Sequence, residues 1–412
     1  MEYGLIGGKL GQSFSPYIHQ TVTKEDYGLK ELAPEEVEGF LKERAFKGIN
    51  VTIPYKQTVI PFLDVVDPIV ERIGACNTIV NKDGKLYGYN TDYFGFKELI
   101  IHNHIMIKNK KCLILGTGGT SKTVKCVLED LGAKEIKKAS RTQGDVTYDD
   151  LSSVLDYEVI VNTTPVGMWP NIKACPLDIT PFKKVEALLD VVYNPIRTLF
   201  IQAGLERKIK AVSGLRMLVK QAIKSAELFR DITYKDETSK ITDALAKSIR
   251  NIVFMGMPSC GKSALGKIIS SKYKLSWYDT DTLIEQEQGT SIKTIFSEHG
   301  EPYFRELEAK KVEEVALNKH SVISIGGGTI LNPTSVKLLK ANGILVWINR
   351  PLEQLQATSS RPLSKDKEAI KELYKVRRPI YEHNADFVLM NDISIDDAAW
   401  HFKQYYEKGL IK

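Results

Sequence analysis

Short apolar segments alternate with longer amphipathic stretches along almost the whole chain. Segments rich in Val, Ile and Leu are typical of β-strands, and the stretches between them are long enough for helices. This alternation predicts an α/β fold with parallel sheets. The predicted strands are Gly48–Ile53, Lys111–Leu115, Val159–Asn162, Ala187–Val192, Ile252–Met255, Val322–Ile325 and Ile344–Ile348.

A polar segment between Asp231 and Ser248 interrupts the alternation, and a new strand is predicted directly after it. The segment lacks the Gly and Pro content of a long flexible tether, and its later part, Ile241–Ile249, is compatible with a short helix. A softer boundary lies near residue 100, before the strand that starts at Lys111. The sequence therefore predicts three lobes in two functional units.

Composition narrows the class of protein. The 412 residues exceed a typical single domain. The net charge of +6 is weak evidence for nucleic-acid binding, because an anionic small substrate explains it equally well. No apolar run is long enough to span a bilayer, and the N-terminus lacks a signal-peptide pattern. The five cysteines form no CxxC pair, which argues against a disulfide framework or structural zinc. We therefore expect a cytoplasmic protein that binds neither membranes nor nucleic acid.

The segment Gly256–Ser263 reads GMPSCGKS and matches the phosphate-binding pattern G-x-x-x-x-G-K-[ST]. It follows a predicted strand and precedes a helix-compatible stretch, Ala264–Ser271, as this motif requires. Its glycines allow backbone N–H groups to face phosphate oxygens. Lys262 is expected to reach the β- and γ-phosphates, and Ser263 to bind Mg²⁺. The sequence therefore predicts a nucleotide site in the second unit.

Further candidates for this site follow the loop along the chain. Asp279 and Asp281 lie in a strand-like stretch, where alternation places both carboxylates on one face, one for Mg²⁺ and one for an acceptor hydroxyl. Arg305 and Glu308 share a helical face, and taken alone they are better interpreted as a plain surface ion pair. The glycines at 326–328 permit close approach to a ligand or form a tight turn.

These motifs together resemble shikimate kinase. GMPSCGKS, DTD, FRELE, GGGT, RPL and RRPIY occur in that family's order over residues 250–412. The resemblance implies a P-loop domain with a parallel sheet that phosphorylates the 3-hydroxyl of shikimate with ATP and Mg²⁺. It implies catalytic roles for Lys262, Asp281 and Arg361, the last as a lid arginine. The implied shikimate-binding residues are Asp281, Arg305, Gly327, Gly328 and Arg377. The implied nucleotide-binding residues are Ser259, Cys260, Gly261, Lys262, Ser263, Ala264 and Arg361, with Ser263 and Asp279 as metal ligands.

A second glycine-rich loop, Gly116–Ser121, follows the strand Lys111–Leu115 in the first unit. It departs from the dinucleotide pattern G-x-G-x-x-G because Ser121 replaces the third glycine, although a small residue still lets the helix pack on the strand. Alone, the loop is also compatible with a structural turn. The next strand ends near Arg141 without an acidic residue for a ribose 2′-hydroxyl. Arg141 suits a 2′-phosphate and hence NADP, whereas the nearby Asp145 would repel one.

Polar side chains cluster at predicted strand ends and turns upstream of this loop. Each one is compatible with turn chemistry, and the first two are also compatible with the start of a helix. Their clustering favours a pocket for a polyol, with two hydroxyls that share one face if that segment is extended. These residues are Ser13, Ser15, Thr52, Lys56, Asn77 and Asp92.

The first unit resembles shikimate dehydrogenase. QSFSP, NVTIPYK, ACNTIV, NTD, GTGGTSK, NTTPVGM, DVVYNP and GLRMLVKQA occur in that family's order over residues 1–230. The resemblance implies NADPH-dependent reduction of the 3-keto group of 3-dehydroshikimate, with Lys56 as the acid/base residue and Asp92 beside it. The implied substrate-binding residues are Ser13, Ser15, Thr52, Asn77, Asp92, Tyr193 and Gln221. The implied NADP(H)-binding residues are Gly116, Thr117, Gly118, Gly119, Thr120, Ser121, Arg141, Thr142, Thr163, Val191 and Gly214.

The two resemblances also imply an order of domains. The substrate lobe spans 1–100, and the chain returns to it at 215–235. A Rossmann-like NADP lobe spans 101–214, a linker spans 236–249, and the P-loop kinase domain spans 250–412.

The product of the first implied reaction is the substrate of the second. We therefore expect a bifunctional enzyme of aromatic amino-acid precursor synthesis, with small molecules as its partners and its oligomeric state left open. Three alternatives remain at this point. The first unit could be an NAD-dependent quinate/shikimate dehydrogenase, or one unit could be a catalytically dead nucleotide sensor or scaffold. A P-loop ATPase acting on nucleic acid would need a dense basic face, which the sequence lacks.

Overall fold

The computed structural model describes residues 1–11, 13–357 and 362–409, and the chain divides into two compact units. The first contains Met1–Met168 and Ala174–Ala246, and the second contains Trp169–Lys173 and Lys247–Lys412. Three sheets with flanking helices account for both units, so the predicted α/β class is confirmed. No helix in the described part of the chain is both long and apolar enough to cross a membrane.

The first sheet of unit 1 is mixed, with strand order β2-β1-β3-β5-β6-β4. Strands β1–β3 are mutually parallel, and β5 pairs antiparallel with both β3 and β6, so the prediction of parallel sheets is wrong for this sheet. Its strands are β1 (Tyr3–Gly7), β2 (Gly28–Glu31), β3 (Gly48–Val51), β4 (Val65–Val66), β5 (Thr78–Lys82) and β6 (Lys85–Tyr89). Its helices are α1 (Ser15–Thr23), α2 (Glu36–Glu43), α3 (Pro68–Ile73) and α4 (Thr91–His102), with a short 3₁₀ turn at Ile60–Phe62.

The second sheet of unit 1 is parallel throughout, with strand order β12-β11-β10-β7-β8-β9. Its strands are β7 (Lys111–Leu115), β8 (Glu135–Ser140), β9 (Val146–Thr147), β10 (Val159–Asn162), β11 (Ala187–Asp190) and β12 (Lys210–Ser213). Its helices are α5 (Gly119–Asp130), α6 (Leu199–Glu206) and α7 (Leu215–Arg230), with a 3₁₀ turn at Ser152–Val154. Helix α7 returns to the first lobe, where it packs against α1 and α4.

The sheet of unit 2 is also parallel, with strand order β14-β15-β13-β16-β17. The polar segment before it forms helix α8 (Thr238–Ile249). The strands are β13 (Asn251–Met255), β14 (Ser276–Asp279), β15 (Ser321–Ser324), β16 (Gly343–Asn349) and β17 (Phe387–Met390). The helices are α9 (Lys262–Tyr273), α10 (Thr280–Gln288), α11 (Ile292–Val315), α12 (Pro333–Asn342), α13 (Lys367–Asn384) and α14 (Ile395–Glu407), with 3₁₀ turns at Thr329–Leu331, Leu352–Gln354 and Pro362–Ser364.

All the strands predicted from apolar runs are present, and their ends differ from the prediction by at most two residues. Strands β10, β11, β13 and β15 are buried at every position, as expected for parallel sheets covered by helices on both faces. Parallel strands present their carboxyl ends at one edge, so the loops that follow them meet there and form sites.

Candidate active sites

One cavity of unit 1 gathers the polar residues that the sequence scatters over more than two hundred positions. It lies where the loops after β3 and β11 meet the starts of α1, α4 and α7. The predicted substrate residues and the predicted acid/base residue all line it: Ser13, Ser15, Thr52, Lys56, Asn77, Asp92, Tyr193 and Gln221. Ser15 is the first residue of α1, and its backbone N–H donates to the Ser13 hydroxyl over 3.2 Å, so this segment starts a helix and is not extended.

Lys56 and Asp92 form a hydrogen-bonded ion pair in this cavity. The Lys56 Nζ donates to Asp92 Oδ2 over 2.6 Å, and the two side chains are 21% and 13% exposed. Asp92 lies in the first turn of α4, where the helix dipole favours a carboxylate. The pair therefore presents an ammonium group with a proton to donate, held in place by a carboxylate that also faces the cavity.

Asn50 lines the same cavity and was missed by sequence reasoning. Its amide oxygen accepts from the Tyr27 hydroxyl at 2.7 Å, and its amide nitrogen donates to the Ser225 hydroxyl and to the Asn77 carbonyl. Asn77 is held in turn by the Thr91 N–H, which donates to Asn77 Oδ1 over 2.7 Å. These hydrogen bonds form a buried network beside the cavity. The sequence signal that could have identified Asn50 is its position at the start of the motif NVTIPYK.

The glycine-rich loop after β7 forms the start of α5. Gly116 has φ +100°, and a Cβ atom there would lie 2.8 Å from Thr164 Cγ2, so glycine is required by both backbone and space. A Cβ at Gly118 or Gly119 would meet no atom within 4 Å, so this side of the loop is open. Ser121 is fully buried and donates its hydroxyl to the Gly118 carbonyl over 2.6 Å. The loop leaves the N-terminal N–H groups of α5 without a side-chain cap, which suits a pyrophosphate.

The other predicted cofactor residues end neighbouring strands. Thr163 follows β10 and donates its hydroxyl to the Leu115 carbonyl at 2.6 Å. A Cβ at Gly214 would lie 2.7 Å from the Val191 carbonyl carbon, so only glycine allows these two loops to approach so closely. Thr117 and Thr120 lie in the loop before α5 and in its first turn, and Thr120, Val191 and Gly214 also line the substrate cavity.

Arg141 and Thr142 lie exposed at the end of β8. Asp145, which the sequence placed close enough to repel a phosphate, instead accepts from the Lys138 N–H at 2.7 Å and donates its own N–H to the Lys138 carbonyl. No ion pair joins Arg141 to Asp145 within the described ranges. Burial lowers the pKa of Lys138, and the nearby Lys125 adds to that effect. Arg141 is therefore exposed and not paired with Asp145, so its guanidinium is accessible to a 2′-phosphate.

In unit 2 the loop from Gly256 to Gly261 wraps around the start of α9. Both glycines have positive φ, and Ser259 also adopts the left-handed region at φ +60°. The Ser259 hydroxyl accepts from the Gln356 N–H at 2.9 Å, which fixes this residue at the loop rim. Lys262 Nζ donates to two carbonyls of the loop, those of Gly256 at 3.0 Å and Met257 at 2.9 Å.

The remaining loop residues line or support the phosphate cavity. Ser259, Gly261, Lys262, Ser263 and Ala264 line it, together with Asp279, Asp281 and Gly327. The side chain of Cys260 is fully buried, and its carbonyl accepts from the Asn391 amide at 2.8 Å. Cys260 therefore contributes its backbone to the loop.

The two predicted metal-binding residues, Ser263 and Asp279, lie side by side. The Ser263 hydroxyl donates to Asp279 Oδ2 over 2.6 Å, and both residues line the phosphate cavity. Hydroxyl and carboxylate oxygens fit Mg²⁺, which binds few protein groups besides phosphates and water. The predicted alternation of Asp279 and Asp281 on one strand face is wrong. Strand β14 ends at Asp279, which caps α10, and Asp281 belongs to that helix.

A second cavity adjoins the phosphate site and contains all the predicted shikimate-binding residues of unit 2: Asp281, Arg305, Gly327, Gly328 and Arg377. Arg305 Nη1 donates to Glu308 Oε2 over 2.8 Å, and Glu308 also accepts from the Thr329 hydroxyl at 2.7 Å. Glu308 is only 3% exposed, so the interpretation of a plain surface ion pair is wrong. Glu308 instead orients Arg305 toward the cavity.

Arg377 is the most buried cation of this cavity, at 3% exposure. Its Nε has no hydrogen-bond partner in the described part of the chain, and burial lowers the pKa of its guanidinium. An anionic ligand would compensate this buried charge. The glycines 326–328 have no positive φ in the described backbone. A Cβ at Gly328 would lie 2.6 Å from the Arg305 Cζ, so a side chain there would displace the guanidinium. Arg361 lies outside the described residues.

Comparisons with known proteins show which families the two units are similar to. The chain matches the family models "Shikimate dehydrogenase substrate binding domain" at residues 5–79 and "Shikimate kinase" at residues 258–407. It is 37% identical over 268 residues to the shikimate dehydrogenase (NADP(+)) of Clostridium beijerinckii, which covers 60% of this chain and 98% of that protein.

Solved structures give the same answer for the first unit. The chain is similar to a chorismate mutase/shikimate 5-dehydrogenase fusion protein from Clostridium acetobutylicum, at 37% identity and a TM-score of 0.56, covering 59% of this chain and 96% of that one. It is also similar to shikimate 5-dehydrogenase from Thermus thermophilus in complex with NADP(H) and shikimate, at 30% identity and a TM-score of 0.54, covering 59% and 97%.

Proposed function

Because this chain belongs to the shikimate dehydrogenase family and carries a shikimate kinase domain, we propose that its two sites catalyse consecutive steps of the shikimate pathway. The first site reduces 3-dehydroshikimate to shikimate with NADPH. The second site phosphorylates the 3-hydroxyl of shikimate with ATP. The observation that supports the first step most directly is the Lys56–Asp92 pair inside the cavity of polar residues.

In the first site, NADPH supplies a hydride to the 3-keto carbon when it is bound. Reduction of the ketone leaves an alkoxide, and Lys56 Nζ donates the proton that it needs. Asp92 orients Lys56 through its hydrogen bond, and it accepts a hydrogen bond from a ring hydroxyl. Ser13 and Ser15, close together at the start of α1, donate hydroxyl hydrogen bonds to the substrate carboxylate.

The remaining residues of the first site divide between substrate and cofactor. Thr52, Asn77, Tyr193 and Gln221 bind the substrate. Gly116–Ser121 hold the pyrophosphate at the start of α5, and Thr163, Val191 and Gly214 line the nicotinamide side. Arg141 and Thr142 bind the 2′-phosphate, so NADPH is preferred over NADH. Asp145 does not pair with Arg141, because its carboxylate accepts a hydrogen bond from the backbone N–H of Lys138.

In the second site, Asp281 accepts the proton of the shikimate 3-hydroxyl. Arg305 and Arg377 bind the substrate carboxylate, with the backbone of Gly327 and Gly328 beside them. Lys262 and the loop residues Ser259–Ala264 hold the ATP phosphates, and Arg361 adds a further cation to them. Ser263 and Asp279 hold Mg²⁺, which neutralises phosphate charge when it is bound.

The test uses the intact protein and its Lys56→Ala variant. With 3-dehydroshikimate, NADPH and ATP–Mg²⁺, the parent protein should form shikimate 3-phosphate, detected by mass spectrometry. General acid–base catalysis contributes about 10²–10⁴-fold, so the variant should lose nearly all of this product and regain it when shikimate is supplied directly. Undiminished product from 3-dehydroshikimate would remove Lys56 from its role, and unphosphorylated shikimate with both proteins would overturn the kinase assignment. Comparison of quinate and NAD⁺ with shikimate and NADP⁺ tests the alternative dehydrogenase.

A further inference from the structure

Asp190 is a fully buried carboxylate at the end of β11 that the proposed reaction does not use. Asp190 Oδ1 accepts from the Asn162 amide at 2.9 Å and from the Val192 N–H at 3.0 Å, and Oδ2 accepts from the Thr198 hydroxyl at 2.7 Å. No ion pair joins Asp190 to a cation within residues 1–11, 13–357 and 362–409. A buried charge is thus held by three neutral donors.

These donors belong to three separate segments of the chain. Asn162 ends β10, Val192 lies in the loop after β11, and Thr198 caps the start of α6. Asn162 also fixes the loop that follows β10, because its amide oxygen accepts hydrogen bonds from the N–H and the hydroxyl of Thr164, at 3.0 and 2.7 Å. The side chain of Asp190 therefore ties the loop after β10 to the loop after β11.

The same contacts reach the three residues that the proposed function places beside the nicotinamide. Thr163 stands between Asn162 and Thr164 in the first loop. Val191 donates its N–H to the Asn162 carbonyl at 3.0 Å, and Val192 accepts at its carbonyl from the Gly214 N–H at 3.0 Å. Displacement of the loop after β11 would consequently move Val191 and Gly214 together.

Burial of such a charge is unfavourable, and it raises the pKa of Asp190 to about 7. An apolar residue would avoid that loss of stability but would leave three buried donors without acceptors. We propose that Asp190 is a positioning residue that holds Thr163, Val191 and Gly214 in the arrangement that binds the nicotinamide end of NADPH. This inference rests on the cofactor site of the proposed function.

Two variants of the full-length protein separate positioning from charge. Asp190→Asn keeps an oxygen for Asn162 and Val192, and its amide can donate to the Thr198 oxygen, so it preserves the geometry without the charge. Asp190→Ala removes all three acceptor positions. NADPH binding is measured by fluorescence titration, and KM and kcat are measured for NADP⁺ and shikimate.

We expect Asp190→Ala to weaken NADPH binding and raise the KM for NADP⁺ by about tenfold or more, with a smaller change in the KM for shikimate. Asp190→Asn should remain within about threefold of the parent protein. Circular dichroism checks the fold, and shikimate kinase activity checks the second unit of the same molecule. If the alanine variant does not fold, Thr198→Val replaces it, because it removes one donor and should weaken NADPH binding by a few-fold.

Each other outcome overturns the inference. Unchanged NADPH binding in the folded alanine variant would show that Asp190 positions nothing. An asparagine variant that binds NADPH as weakly as the alanine variant would show that the charge of Asp190 matters and the hydrogen-bond geometry does not. Failure of the proposed function looks different, because the parent protein itself would then neither bind NADPH nor oxidise shikimate.

Discussion

Alanine at position 328 tests how the kinase cavity holds its anionic substrate. A Cβ built on Gly328 would lie 2.5 Å from Nη2 and 2.6 Å from Cζ of Arg305. Non-bonded carbon and nitrogen atoms need roughly 3.5 Å, so the guanidinium must move by about 1 Å. The guanidinium is the far end of the flexible Arg305 side chain. The backbone can therefore accommodate the alanine methyl group, but the guanidinium must leave its present position.

The magnitude follows from the contacts that this movement disturbs. Arg305 Nη1 lies 2.8 Å from Glu308 Oε2, and a displacement of about 1 Å ends that hydrogen bond. It also misaligns the guanidinium with the substrate carboxylate that we propose it binds. Hydrogen bonds to charged groups contribute about 1.5–3 kcal/mol. We therefore expect Gly328→Ala to raise the KM for shikimate by roughly 10- to 150-fold, with a smaller change in kcat and in the KM for ATP.

The assay couples ADP formation to NADH oxidation at varied shikimate and is repeated in the shikimate dehydrogenase direction on the same preparation. Gly39→Ala is the matched control, because a Cβ at Gly39 in α2 would meet no atom within 4 Å. The control should match the parent protein in both activities, and Gly328→Ala should keep its dehydrogenase activity. A KM for shikimate within twofold of the parent value would refute the role given to Arg305.

Three further predictions concern other parts of the chain. Lys262→Ala should abolish phosphoryl transfer and leave shikimate oxidation intact, measured by the two assays on one preparation; loss of both activities in a folded protein would contradict the division into two units. Arg141→Ala should raise the KM for NADPH by about tenfold and change the KM for NADH little, because only NADPH carries the 2′-phosphate; equal changes would exclude that contact. Burial, followed by the charge of Arg230, lowers the pKa of His19 to about 3, below its unfolded value of 6.5. The unfolded chain therefore binds a proton that the folded chain does not as the pH falls below 6.5, so His19 lowers the free energy of unfolding by about 2 kcal/mol between pH 7.5 and 5, while buried Asp190, whose pKa is raised to about 7, acts in the opposite direction. In denaturant unfolding series, the free energy of unfolding of the parent minus that of His19→Phe should therefore fall by about 2 kcal/mol over this range, whereas exchange of the exposed His102 for Gln should not produce such a fall; equal falls for both variants would contradict the burial argument.

The amino-acid sequence alone was enough to predict the fold class, seven of the strands and the two families that the units resemble. Apolar runs identify parallel strands because strands covered by helices on both faces exclude charges along their whole length. Glycine-rich loops are equally visible, because a strand-to-helix turn around phosphate needs φ values that few residues other than glycine adopt, as at Gly116 and Gly261. Ordered motifs then identified the two families, as the comparisons confirm.

The tertiary structure decided how individual polar side chains are used. Local alternation placed Asp281 on a strand, but the carboxylate of Asp279 caps a helix there and ends the strand. Helical spacing suggested that Arg305 and Glu308 form a surface ion pair. In the structure Glu308 is buried, and it accepts a hydrogen bond from the hydroxyl of Thr329, which lies more than twenty residues away in the sequence. Asp190 begins the motif DVVYNP, but the motif did not reveal its role, because two of its donors come from β10 and from the cap of α6. Sequence periodicity reports which face of an element is apolar, whereas the partner of a buried polar atom depends on which distant segments the fold brings within about 3 Å of it.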